Sequence, residues 1–262
     1  MKRFITSNAF LYTVGLAFVF GLWFLFSYIH GFGTLVFPSP IATFNALGDI
    51  LSRAYIYKAM GNSLLHAIEG FAIAFGLALV FGSLAAELPF LKKIFHPLMV
   101  VLKSAPTAAF IFLFVLLSGS TDAPIWVVAL LAFPILYEAV LAGIRSVTGD
   151  VIEAARVDGG SKAKILFRVK IPLAIPYVIL GVVASFALSF KTSIMAEVIS
   201  GSKAPGLGAA INLYRDDNPV DLSPVFAVAV IAIVIVLLFD LLTYLAKTAL
   251  IRFHLIDGDL VE

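Results

Sequence analysis

Cysteine is absent from the 262 residues, which excludes disulfides, thiol catalysis and thiolate metal sites. Charge is also scarce: 13% of residues are charged against 61% hydrophobic. A soluble domain of this size keeps roughly a quarter of its residues charged, so the composition is that of an integral membrane protein. Histidine is limited to His30, His66, His96 and His254, scattered without metal-ligand spacing, and no metal centre is expected. No GxxxxGK followed by Ser or Thr occurs, so the chain has no P-loop with which to bind ATP itself. Nothing in the pattern points to nucleic acid.

What is present is long apolar runs. Lys2-Arg3 precede the first one, but it continues from Phe10 to Ile29 without a small-x-small cleavage site. At about 20 residues it spans a bilayer and is too long for a signal-peptide core. Apolar length predicts an all-α membrane protein with about six spans: Phe10–Ile29, Asn62–Leu88, Pro97–Ser118, Ala123–Gly143, Leu173–Ser200 and Pro224–Tyr244. A single transmembrane domain over 1–262 is expected, with no second domain. Lysine and arginine sort by side. Lys2, Arg3, Lys92, Lys93, Arg145, Arg156, Lys162, Lys164, Arg168, Lys170, Lys247 and Arg252 fall on one side; Arg53, Lys58, Lys203 and Arg215 fall on the other. The positive-inside rule then places both termini in the cytoplasm.

Within the spans, small residues recur at every fourth position at Gly70, Ala74, Ala78, Gly82 and Ala86. This ladder permits close helix packing inside the chain, or a dimer seam. Pro106 and Pro134 should kink their helices. Ionisable residues in spans are costly and face protein or water, so Glu138, Lys191, Glu197 and Glu69, together with the two prolines, are candidates for lining a pathway. Buried ion pairing is the alternative use. Gly206-Leu207-Gly208 could suggest a phosphate loop, but it follows no strand and faces the outer side. The outer segments 37–60 and 201–224 are read as a lid or as contact surfaces for an external protein.

The longest polar interval, 149–176, lies between the fourth and fifth spans on the predicted cytoplasmic side. Asp150 followed by Glu153 has capping-box spacing, Gly159-Gly160 breaks the first helix, and Ser161 can cap a second that Pro172 should stop. In this loop Glu153-Ala154-Ala155, then Gly159, then Val169-Lys170-Ile171-Pro172 have the spacing of the EAA motif. The chain therefore resembles the inner-membrane permease subunits of binding-protein-dependent ABC importers. It looks closest to the nitrate, taurine and alkanesulfonate branch, through Phe37 to Pro40, Pro106 to Ala109, 133–147 and 195–211. Residues 116–120 and Glu138 depart from that branch.

The resemblance implies that 149–172 is a coupling loop for a separate cytoplasmic ATPase. Glu153, Ala154, Ala155, Arg156, Gly159, Gly160 and Pro172 would carry the contact. It implies no cofactor in this chain, ATP and Mg used by the ATPase subunits, an external substrate-binding protein, and a second permease copy in a bacterial inner membrane. The other readings of the pattern are an ATP-independent channel or secondary transporter, and a polytopic membrane enzyme. No inverted repeat supports the first, and no converging catalytic groups support the second.

Overall fold

The computed structural model describes residues 8–29 and 35–252; Lys2, Arg3, His30 and His254 lie outside the described residues. Helix α1 is Asn8–Ile29, α2 Pro40–Leu51, α3 Ala54–Glu87, α4 Pro89–Ser104 and α5 Thr107–Arg145. These are followed by α6 Gly149–Val157, α7 Lys162–Ile165, a π turn Leu166–Lys170, α8 Ile171–Ser200, α9 Leu207–Asp217 and α10 Ser223–Arg252. Phe10–Ile29, Ala54–Glu87, Thr107–Arg145, Lys162–Ser200 and Ser223–Ala249 are each long and apolar enough to cross a membrane.

The small-residue ladder of α3 lies against α5. A Cβ on Gly70 would stand 2.4 Å from the Ile125 carbonyl, and one on Gly82 would stand 3.0 Å from Val140 Cβ. Position 70 faces 125–128 and position 82 faces 137–140, so α3 and the later part of α5 run parallel. The ladder thus serves packing within the chain rather than a dimer seam. Lipid supplies no hydrophobic drive between helices, so close approach through small residues holds this pair together.

Two parallel crossings require a return between them. Residues 89–118 supply it, and the reversal is at Gly119, whose φ of 84° is closed to most L side chains. Ile111 and Val127, on either side of that turn, share one apolar cluster with Ala196. Helix α5 is therefore a hairpin of two helical legs. This accounts for the spans expected at Pro97–Ser118 and Ala123–Gly143, with two corrections. The return leg begins at Pro89, not Pro97, and Pro97 sits inside α4. Pro106 does more than kink a helix, because it caps α5 at a complete break from α4. Pro134 lies within the second leg, where the helix continues.

Helix α8 runs antiparallel to that leg. Gly143 packs on Ala174, Gly181 on Ala139, and Ser200 Oγ donates to the Ser120 carbonyl at 3.1 Å. Helix α10 is antiparallel to α8, with Phe239 against Phe186 and Phe190 and Thr243 Oγ1 donating to the Val183 carbonyl. Helix α1 packs by its outer half. Trp23 Nε1 donates to the Pro38 carbonyl at 3.0 Å, and Phe26, Phe37 and Phe226 stack edge to edge. The start of α1, the end of α3, the α6–α7 loop and the end of α10 consequently share one side. Helices α2 and α9 cover the opposite side. Ser39 caps α2, whose Thr43 and Ile50 are buried, so the outer segment is packed structure rather than a loose lid.

Candidate functional site

The loop between α5 and α8 is a helix, a reversal and a helical entry. Thr148, not Asp150, is the N-cap of α6, and it contributes no side-chain hydrogen bond. Asp150 lies in the first turn instead, where its charge complements the helix dipole. The expected capping box is therefore not formed. The reversal is built on two glycines for different reasons. Gly159 adopts φ +78°, and a Cβ on Gly160 would meet the Ala155 carbonyl at 2.6 Å. Ser161 caps α7 as expected, its Oγ accepting from Lys164 N at 3.3 Å.

Pro172 does not stop the second helix. Lys162 to Ser200 is continuous, and the π turn Leu166–Lys170 immediately precedes the proline. A proline ring normally collides with the carbonyl four residues back, and the wider π turn relieves that crowding. Glu153, Ala154 and Arg156 are exposed, Ala155 is half-buried, and no residue of α6 is buried. Val157 is 88% exposed and Phe167 68% exposed, so the loop presents apolar side chains with nothing of this chain upon them. At its root, Lys170 Nζ donates to Glu87 Oε1 at 2.5 Å, tying the π turn to the end of α3. Sequence reasoning passed over this pair, whose members lie 83 residues apart.

The membrane-embedded candidates separate into different environments. Glu197 is completely buried in the isolated chain, the environment of the buried pairing weighed as the alternative to a pathway role. Its carboxylate accepts from Ser63 Oγ at 2.6 Å and from Gly208 N at 2.9 Å, and it lies 2.8 Å from His66 Nδ1. Ser63 Oγ in turn accepts from Leu207 N at 2.8 Å. The charge thus sits at the N-terminus of α9, where unpaired N–H groups and the helix dipole favour an anion. A Cβ on Gly206 would come within 2.3 Å of Glu197 Oε2, and one on Gly208 within 2.5 Å of Glu197 Cβ. Gly206-Leu207-Gly208 does cradle an anion, and that anion is the chain's own carboxylate.

Glu138 pairs with Lys103 across α5 and α4, both half-exposed. Glu69 is exposed on α3, one turn after His66, whose ring contacts Glu197. Lys191 is exposed on α8 and lines two grooves. The first, of about 300 Å³, lies between the α4–α5 break and α8 and includes Lys103, Ala105, Pro134 and Thr192. The second, of about 470 Å³, lies between α8 and α10 and includes Asp240. Pro106 adjoins the first groove between its lining neighbours Ala105 and Thr107. The structure therefore brings Lys191 and Pro134 together with the Lys103–Glu138 pair, and sets Glu69 and Glu197 apart.

Residues 78–251 match the family of binding-protein-dependent transport system inner membrane components. The chain belongs to that family. It is an inner-membrane permease subunit of an ABC importer, a transport component and not an enzyme, and the ATPase is a separate subunit. It is similar to the riboflavin transport system permease protein RibX of Chloroflexus aurantiacus, 30% identical over 82% of this chain and 80% of that one. A Bacillus subtilis protein named as an aliphatic sulfonates transport permease is 27% identical, over 68% of this chain and 66% of that one. The fold matches a subunit of an amino acid ABC transporter solved with histidines, at a TM-score of 0.64 and 20% identity, covering 78% of this chain and 97% of that one.

Proposed function

We propose that this permease subunit works as a pair of identical chains. Two cytoplasmic P-loop ATPases bind below the pair, and an external substrate-binding protein delivers a small solute from above. The observation that carries the coupling is the α6–α7 loop itself, an ordered helical projection, with no buried residue in α6, at the root of a continuous 39-residue helix. Glu153, Ala154, Ala155, Arg156, Gly159 and Gly160 form the surface that the ATPase grips, with Val157 as apolar anchor. A stiff helix in a groove transmits displacement, whereas a disordered segment would not. ATP and Mg bind in the ATPase, whose closure moves the loops and alternates the access of the spans.

Lys191, Asp240 and Glu69 are exposed on the single chain. Charges at membrane depth face protein or water rather than lipid, which supports a second copy enclosing part of this surface. The lysine and arginine distribution supports placing the loop and both termini in the cytoplasm. The similarity to permeases named for riboflavin and for aliphatic sulfonates favours a small organic solute.

The test is co-purification of the chain with the ATPase, followed by uptake and ATP hydrolysis of the complex in liposomes with its binding protein. Binding protein should stimulate hydrolysis, and Glu153→Lys or Gly159→Pro should abolish ATPase association and uptake. Retention of both activities in these variants would sink the coupling assignment.

A further inference from the structure

Lys191 stands out among the intramembrane charges once their partners are assigned. Glu197 is enclosed in its own hydrogen-bond network, and Lys103 is paired with Glu138. Lys191 makes no ion pair among the described residues. Beside it, Thr192 lines the same 300 Å³ groove, and its hydroxyl has no hydrogen-bond partner among the described residues. Hydroxyls elsewhere on α8 do not behave this way. Ser185 and Ser189 donate to the carbonyls of Gly181 and Ser185, one turn back, at 2.7 and 2.8 Å. A hydroxyl at a groove wall without a protein partner is free to donate to a ligand or to water.

The remaining wall is apolar, including Leu102, Leu131, Ile135, Leu188 and Met195. An apolar groove of this size with a few convergent polar groups is the usual form of a small-ligand site. We infer that Lys191 and Thr192 form a contact point in the pathway for a small organic anion. Lys191 receives the carboxylate or sulfonate charge, Thr192 donates to it, and the apolar wall takes the carbon skeleton. Asp240 lies across the other groove and would repel the same solute, so the α4–α5 side of α8 is the productive one. This inference rests on the permease reading, since it requires water to reach the groove.

The absence of cysteine gives a direct test. Ala105→Cys, on the groove wall, is the chain's only thiol in the assembled importer. Its rate of reaction is measured with the anionic sulfonatoethyl and the cationic trimethylammonioethyl methanethiosulfonates, without nucleotide and with ATP trapped. Relative to a free thiol, the anionic reagent should be favoured over the cationic one by about a hundredfold, since one unit charge ~10 Å away at an effective dielectric of ~20 changes each rate by about tenfold, in opposite senses. Lys191→Gln should remove the preference, Lys191→Arg should keep it, and Asp240→Asn should leave it in place. If Lys191→Gln does not assemble, Lys191→Met serves the same comparison.

Absence of reaction with either reagent in both states, or reaction without charge preference, overturns the inference. Stimulation of ATP hydrolysis by the binding protein is measured on the same sample. Its loss in the parent Ala105→Cys complex would count against the permease reading, whereas its retention with an indifferent thiol counts against Lys191 alone.

Discussion

His66 Nδ1 and a carboxylate oxygen of Glu197 lie 2.8 Å apart, although 131 residues separate them in the chain. The contact joins α3 to α8 at the outer side, and Ser63 and the amide of Gly208 extend it to α9. Because Glu197 has no access to solvent, its stability depends on these donors together. Removing one side of a buried hydrogen-bonded charge network costs about 3–5 kcal/mol, whereas leaving one donor unmatched costs about 1–3 kcal/mol. Ser63→Ala leaves Leu207 N without its acceptor and takes one of two donors from Glu197 Oε2, which keeps Gly208 N, and is expected in the lower range. Replacing His66 and Ser63 together by Ala is expected in the higher range. Thermal unfolding of the purified chain in detergent measures both, and an unchanged Tm for the double variant would refute the network's role.

Two glycines on α3 should respond oppositely to the same substitution. Gly70→Ala places a methyl group 2.4 Å from the Ile125 carbonyl and 2.7 Å from Val128 Cβ, so α3 and α5 must separate. Overpacking of this kind costs about 1–3 kcal/mol. Gly76 has open space around it, and Gly76→Ala should be neutral, or gain up to about 1 kcal/mol from helix propensity. Unfolding midpoints of the two variants, compared side by side, decide the matter. A second copy packed on that open face would show itself as a loss for Gly76→Ala in the assembled complex but not in the isolated chain.

The Lys170–Glu87 bridge, with side chains 16% and 28% exposed, ties the exit of the α6–α7 loop to α3. Reversing either charge should weaken stimulation of ATP hydrolysis by the binding protein, and the double exchange Glu87→Lys with Lys170→Glu should restore most of it. The expected interaction energy is about 1 kcal/mol, since the pair is only partly buried. A double exchange no better than the worse single variant would show that the pair does not transmit movement between the loop and α3.

Apolar length and the EAA spacing made the spans and the family legible in the sequence, because both are local signals. Even the Gly119 hairpin left a trace, in the polar run Ser118 to Asp122 between two apolar stretches. What was not legible depends on contacts far apart in sequence. The fate of Glu197 is set by Ser63 and His66, and only their spatial meeting turns a pathway candidate into a helix anchor. Lys103 and Glu138 likewise look like independent charges until the hairpin folds α4 back on α5. Pro172 misled for a different reason: the rule that proline ends a helix assumes α geometry, and the preceding π turn changes that geometry.

Gly160 and Val157 separate the shape of the coupling loop from its docking chemistry. A side chain at Gly160 would collide with the Ala155 carbonyl and with Ile165, so Gly160→Val should distort the reversal and displace α7 from α6. Val157 is 88% exposed and contributes nothing to the packing of the isolated chain. Val157→Asp should therefore leave the unfolding free energy within about 0.5 kcal/mol of parent, as surface changes do, while weakening ATPase association at least about tenfold if it is an anchor. Co-purification and unfolding on the same preparations distinguish the cases. Gly160→Val should lower both, and Val157→Asp only the first. If Val157→Asp retained full ATPase binding, the docking surface would have to be centred elsewhere on the loop, with Phe167, 68% exposed, as the next apolar side chain to test.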